Sequence, residues 1–270
     1  MKSALLMLMI LLTSPVLAAS NEDALIEQLE ASGKLDAAVD RAIERYVAKQ
    51  RAKHDADEKA QQDAQNASAK KVRPLDKSDR IHGAEQAKFS IIVWSDPECP
   101  YCKRFAGIPQ QVADESDGVA NASVRLLPLP FHGPVAIEAA LTAICVADQA
   151  GAAAYYRFFD SYLNATEGNG KGIPNGKGAK SRKSVTDKLI REAGATDAKR
   201  MADCIKSDVA LKKLQLESEE AGEIGVNGTP TIILRNNETG DVELVGGAVP
   251  AELLIEKVRA LAGKTKTQTN

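Results

Sequence analysis

Cysteine and histidine are scarce in this chain, with four of one and three of the other in 270 residues. Cys99 and Cys102 stand two residues apart, and no second pair of Cys or His at similar spacing exists to complete a zinc site. Charge of one sign is also lacking: 35 Lys and Arg face 37 Asp and Glu, a net −2. Such a balance gives no hint of a nucleic-acid partner or of an anionic membrane surface. No internal repeat is visible. The apolar run Ala4–Leu12 is too short to span a bilayer.

That run has another reading. Lys2 precedes it, and Ser14-Pro15-Val16-Leu17-Ala18 follows with small residues at a cleavage position. Residues 1–18 are therefore expected to be a signal peptide cut after Ala18. No cysteine follows the cut, so no lipid anchor is expected there. Export together with a CxxC points to an oxidising compartment in which disulfides persist. The remaining length suits one sizeable domain plus an appendage.

What is present centres on Cys99-Pro100-Tyr101-Cys102. The β-branched run Ile91-Ile92-Val93-Trp94 before it reads as a buried strand. Cys99 then falls at the first turn of the next helix and Cys102 one turn further in. Unpaired backbone N–H groups and the positive end of the helix dipole face Cys99, which should lower its pKa below the ~8.5 of free cysteine. Cys99 is thus the expected attacking sulfur and Cys102 the resolving one.

The appendage comes first. Leu25, Ile26, Leu29, Leu35, Val39, Ile43, Tyr46 and Val47 recur at three- or four-residue steps, interrupted at Gly33. Their narrow apolar face has no core of its own and wants a partner surface. After Ala48 the chain is charged and polar with alanine at every fourth position to 64, either a semi-rigid helical spacer or a disordered linker. Residues 19–72 are expected to be an oligomerisation arm and linker. The domain over 73–264 opens with an edge strand at Ile81-His82-Gly83 and a central strand Phe89–Ser95. A helix broken near Gly107 and Pro109 and a strand Val124–Leu129 follow. Helices over about 134–223 come next, interrupted by a Gly-, Lys- and Asn-rich loop at Gly168–Ser184. Strands at Thr231–Leu234 and Val242–Val245 and a helix Ala251–Leu261 close the domain before a polar tail, 265–270. Cys145 and Cys204 lie in two of the inserted helices amid apolar neighbours, and an even cysteine count in an exported chain favours a disulfide between them.

Together, Asp96-Pro97-Glu98-Cys99-Pro100-Tyr101-Cys102, the all-helical insertion and Gly225-Val226-Asn227-Gly228-Thr229-Pro230-Thr231 resemble the Dsb family of bacterial periplasmic thiol–disulfide proteins, over about residues 78–262. The resemblance implies an α/β thioredoxin fold with an inserted helical subdomain, here preceded by a helical arm, and a periplasmic location. It implies a cis Thr229–Pro230 bond beside Cys99, where a substrate strand pairs next to the reactive sulfur. Thr229, Pro230, Pro100 and Tyr101 are the expected substrate-binding residues, Cys99 and Cys102 the catalytic pair, and no metal or cofactor is called for. The Pro-Tyr dipeptide and Thr229 resemble the isomerase-like DsbG and ScsC branch. One departure stands out: thioredoxin and the oxidase DsbA carry a buried acid six positions before the first cysteine, and Val93 stands there in this chain. Proton transfer at Cys102 then needs another route; Asp96 and Glu98 are candidates, more simply read as solvated carboxylates or helix-start caps. His132 is read as a capping or surface residue, or one lining the active face. His54 and His82 have no ligand-like neighbours. Tyr155, Tyr156, Phe158, Phe159 and Tyr162 are expected in the subdomain core, and Trp94 beneath the active site.

The leading functional expectation is a periplasmic disulfide isomerase or reductase acting on misfolded secreted proteins, reset by a membrane redox partner and self-associating through its arm. A monomeric DsbA-type oxidase is the alternative. A third reading is a copper(I)-binding protein or a chaperone.

Overall fold

The structure, a computed structural model, describes residues 19–174 and 181–267. The expected signal peptide lies outside the described residues, as do 175–180 of the Gly-rich loop and 268–270 of the tail. The chain divides into two units, residues 1–60 and 61–270.

In the first unit, α1 (Ala19–Ala31) and α2 (Lys34–Ala69) are separated at Gly33, whose φ of +66° suits a residue without Cβ. Every described side chain from 22 to 60 is exposed, the apolar stripe included. Whether the segment after Ala48 is helix or disordered was open on sequence; it is helical to Ala69. The last residues of α2, from Gln61 on, belong to the second unit. There Asn66 Oδ1 accepts from the Leu244 amide at 2.8 Å, and Ala69 is fully buried.

The second unit is built on a five-stranded sheet, β1 (Ile81–His82), β2 (Phe89–Ser95), β3 (Ala120–Leu126), β4 (Thr231–Asn236) and β5 (Val242–Gly246). Its spatial order is β1-β3-β2-β4-β5, with β2 and β3 parallel and the other pairs antiparallel. All seven residues of β2 are buried, because both sheet faces are covered. Alternation divides them: Phe89, Ile91 and Val93 join the main core, while Ile92 and Trp94 pack on the opposite face with Val72, Ala221 and Ile224. Trp94 Nε1 donates to the Glu217 carbonyl at 3.0 Å, satisfying the only polar atom of a fully buried indole.

Between β2 and β3 run α3 (Pro100–Phe105) and α4 (Ile108–Asp114), broken at Gly107 as the sequence suggests. The insertion between β3 and β4 holds α5 (Gly133–Ala150), α6 (Ala152–Ala165), α7 (Arg182–Ala193), α8 (Ala198–Ile205) and α9 (Asp208–Glu223). Tyr155, Tyr156, Phe158, Phe159 and Tyr162 fill its core. The Sγ atoms of Cys145 in α5 and Cys204 in α8 are 2.03 Å apart. The final helix, α10 (Ala251–Thr267), packs on α4.

Two boundaries differ most from expectation. The second long strand is Ala120–Leu126 rather than 124–129: Ala120-Asn121-Ala122-Ser123 carries no apolar run, yet pairs in register with Phe89–Ile92. The closing helix passes Leu261 and continues to Thr267.

Candidate functional site

β2 delivers the chain to the turn Asp96-Pro97-Glu98, and Cys99 caps α3 with extended backbone (φ −82°, ψ 121°). Pro100 occupies the first helical position, where a missing N–H costs nothing. The Cys99 amide donates to the Asp96 carbonyl at 3.1 Å, and its carbonyl accepts the Lys103 amide at 3.0 Å. Both cysteines are free and buried, Cys99 at 5% exposure and Cys102 at 2%. Across the turn, Cys99 Sγ lies 3.3 Å from the Thr229 carbonyl oxygen, and the Thr229–Pro230 peptide bond is cis. Pro230 is buried and Thr229 half-buried. Pro100 is half-buried, whereas the Tyr101 ring is exposed with the Arg104 guanidinium 4.4 Å from its centroid.

The two sulfurs are driven apart in acidity. A hydrogen bond from the Cys102 side chain is the chief reason that Cys99 falls to about 5; burial opposes it, while Thr229 and the backbone amides of Cys102 and Tyr101 add to it. Burial pushes the Cys102 thiol well above its ordinary range, and the neighbouring Cys99 sulfur adds to that. The pair thus consists of a ready thiolate in front and a protonated thiol behind, the arrangement that attack and resolution require.

Three sequence readings are corrected here. Asp96 and Glu98 are neither solvated nor simple caps; both are completely buried. A buried carboxylate must find donors for its oxygens, and each does. Asp96 Oδ1 accepts from the Glu98 amide at 2.7 Å; Oδ2 accepts from the Leu129 amide at 2.6 Å and stands 2.7 Å from His132 Nδ1. The Asp96 amide itself points at Cys102 Sγ, 3.4 Å away. Glu98 Oε1 accepts from Tyr162 Oη and Thr166 Oγ1, both at 2.8 Å, and Oε2 from the Gly172 amide at 2.9 Å. Asn169 donates to the Glu98 carbonyl at 2.7 Å. His132, read as a surface or capping residue or one lining the active face, stands at the N-cap of α5 but is buried at 4% exposure, its side chain held to Asp96 instead of capping the helix. His54 and His82 each have a carboxylate neighbour after all, Glu58 at 3.2 Å and Asp114 at 2.8 Å, and Tyr156 stands edge-on to His82.

These contacts tie the cysteine turn to the insertion. The segment Thr166–Gly172 lies close against it: Gly170, at φ +76°, would bring a Cβ to 2.6 Å from the His132 carbonyl oxygen. The sequence hides this arrangement because, the Glu98 amide apart, the partners of the Asp96 and Glu98 carboxylates lie 33 to 74 residues away. The signal on offer was two carboxylates directly before a cysteine that follows a fully apolar strand.

The chain matches the sequence profile of the thioredoxin family over residues 75–243. Among curated protein sequences none matches it. Of solved structures, DsbA2 of Pseudomonas aeruginosa is 27% identical, with a TM-score of 0.56, over 71% of this chain and 97% of the other. The thiol–disulfide exchange protein alpha-DsbA2 of Wolbachia pipientis is 21% identical, with a TM-score of 0.60, over 75% and 98%. A linker-deletion variant of Proteus mirabilis ScsC is 19% identical, with a TM-score of 0.59, over 93% and 99%. The likeness to the last two is one of fold. With a free Cys99-Pro-Tyr-Cys102 pair at a helix start and a profile match across the sheet and its insertion, the chain belongs to the thioredoxin family, among Dsb-type thiol–disulfide oxidoreductases.

Proposed function

We propose that this protein is an exported disulfide isomerase or reductase, working on misfolded secreted proteins in the periplasm and assembling through its N-terminal arm. Cys99 thiolate attacks a substrate disulfide; a Cys99–substrate bond forms and one substrate sulfur leaves as thiolate. A substrate thiolate can then attack the substrate sulfur held by Cys99, forming a new substrate disulfide and releasing Cys99 as thiolate, which is isomerisation. Alternatively Cys102 attacks Cys99, closing the Cys99–Cys102 disulfide and releasing the second substrate thiol, which is reduction. A membrane redox partner then returns the pair to its dithiol form. Pro100, Tyr101, Thr229 and Pro230 are the residues proposed to hold the substrate beside Cys99.

The observation that carries the isomerase reading is the arm. Leu25, Ile26, Val39, Ile43 and Tyr46 are each about half exposed, and in this unit no described residue from 22 to 60 is buried. An apolar stripe of that length on an uncovered helix favours association with a second copy of itself. Several active sites on one frame raise the local concentration for repeated attack on one bound substrate. The second reading, a monomeric disulfide donor, has an observation of its own. A Cys99 thiolate stabilised to about pKa 5 favours the reduced pair, and so makes the disulfide readily given away.

One experiment separates them. The mature protein is sized at micromolar concentration while its repair of scrambled disulfides is assayed, with and without residues 19–60. The isomerase reading expects an oligomer whose truncation is monomeric, still exchanges thiols and repairs poorly. A full-length monomer with undiminished repair overturns the arm's role, and a monomer that only donates disulfides promotes the oxidase.

A further inference from the structure

Resolution by Cys102 leaves one question of chemistry: where its proton goes. Strand β2 lines the space beside Cys102 with Val93 and Ser95, neither a carboxylate, and Asp96 presents its amide, not its carboxylate, to the sulfur. Both Asp96 oxygens and both Glu98 oxygens already accept hydrogen bonds from other groups.

Behind Cys102 the structure has a hollow of about 10 Å³. That is close to the space one water occupies. Its walls are mostly apolar, among them Val93, Phe105, Val124, Phe159 and Leu163. Its polar side chains are few: Cys102, Ser95, Gln110 and Asp160. Gln110 Nε2 donates to Asp160 Oδ2 at 2.9 Å, while Gln110 Oε1 is buried with no partner. An unpaired buried acceptor beside a water-sized hollow is an address for a bridging water.

We propose that Asp160, from the inserted helix α6, is the group that exchanges a proton with Cys102 across this hollow, taking the part for which β2 has no carboxylate. This rests on the thiol–disulfide exchange reading given above. In resolution the Cys102 thiol gives its proton, through the bridging water, to the Asp160 carboxylate. Cys102 sulfur then forms its bond to Cys99, and the Cys99–substrate bond breaks. The electron pair leaves with the substrate sulfur, which takes a proton from Asp160 or solvent. The protein pair is oxidised and the substrate reduced. In the reverse direction, protonated Asp160 returns the proton to Cys102 as that sulfur leaves.

Burial pushes the Asp160 carboxyl up to about 6, the range in which a group both accepts and returns a proton near neutral pH. The Gly107 amide and Gln110 oppose that rise from α4, and His82 from β1. His82 is itself paired with Asp114, and Tyr156 is the titratable neighbour on α6. Asp160 touches Gln110, not the sulfur, so its part is to position and pass a proton.

The test uses the full mature protein carrying glutathione on Cys99 as a preformed mixed disulfide. Release of glutathione by Cys102 is followed from about pH 5 to about pH 9, and Cys99 alkylation in the reduced protein is measured alongside. Asp160→Asn keeps the shape of the side chain. It should slow release roughly 100-fold near pH 7, the scale of a positioned acid–base group. It should also remove the inflection near pH 6 while leaving Cys99 alkylation unchanged. Release at the wild-type rate and profile overturns the proposal, as does a parallel loss of Cys99 reactivity, which marks a general distortion. Should Asp160→Asn fail to fold, the Asp160 carboxyl carbon is titrated by NMR in the unmutated protein. A midpoint that moves between the dithiol and disulfide forms supports proton sharing, and the same midpoint in both refutes it. Failure of the underlying reading looks different: Cys99 then forms no glutathione adduct, or Cys102→Ser releases glutathione as fast as wild type.

Discussion

Two cysteine pairs occupy this fold, and they differ in what surrounds the sulfur more than in the sulfur itself. Cys99 and Cys102 share one helical turn, are free, and meet backbone amides at a helix start. Cys145 and Cys204 are 59 residues apart and bonded, and Cys145 sits in the middle of α5 among Ala143, Ile144 and Val146, all buried. In mid-helix every N–H is already spent on the carbonyl four residues back, so nothing there supports a thiolate. At the helix start the amides are unspent, and a thiolate finds donors. Position within a helix therefore separates Cys99, whose thiolate finds donors, from Cys145, whose surroundings offer none.

Substituting the front sulfur tests that contrast most severely. Cys99→Ser should bring thiol exchange down to the uncatalysed rate in an insulin-reduction assay, with the fold retained and the melting temperature at about pH 5, where the thiolate adds little, close to that of the reduced wild type. Residual catalysis would move the attack to Cys102 and reverse the roles.

The second pair should fail in the opposite way. Replacing both Cys145 and Cys204 by Ala opens a loop of 59 residues, which the chain-entropy account values at roughly 4 kcal/mol of stability. Urea unfolding measures that loss, and Cys99 alkylation should stay as fast as before. A double variant as stable as wild type would deny the pair its stapling role.

Between these lies Glu98, which ties the reactive turn to the insertion. Glu98→Ala removes an acceptor of three hydrogen bonds and leaves Tyr162, Thr166 and the Gly172 amide without it. A cost of about 3 kcal/mol is expected in urea unfolding, with faster hydrogen exchange over residues 166–172. A loss below about 1 kcal/mol would mean that water replaces the carboxylate.

The last effect is a slope with pH. Cys99 titrates at about 5 in the folded dithiol form and near its ordinary thiol value when unfolded, so between those limits the unfolded chain binds more protons. The dithiol form should gain stability as pH rises from about 5 towards about 9, and lose that contribution as pH falls through 5. Cys102, raised by burial, contributes the opposite slope above its ordinary thiol range. Iodoacetamide should accordingly label Cys99 with a midpoint near pH 5 and leave Cys102 untouched. A midpoint above about 8 would mean that the turn provides no thiolate support.

The reach of the sequence alone follows the range of the forces involved. Strand β2, the broken helix after it, the helix break at Gly33 and the apolar stripe of the arm were all legible, because each rests on periodicity or on one residue's backbone preference. The front and rear positions of Cys99 and Cys102 were legible for the same reason, being set within one helical turn. Tertiary structure alone decided what the polar residues do. Asp96 and Glu98 are hydrophilic on any scale and would ordinarily face water; burial became affordable only when Leu129, His132, Tyr162, Thr166 and Gly172 arrived from distant elements with donors. The start of β3 at Ala120 was decided likewise, by pairing with Phe89–Ile92 rather than by its own small residues. Asp160 went unnoticed because nothing in its neighbourhood along the chain says that α6 lays it beside the hollow behind Cys102. Backbone preference and side-chain period act within a few residues; satisfying a buried charge is a property of the whole packed interior.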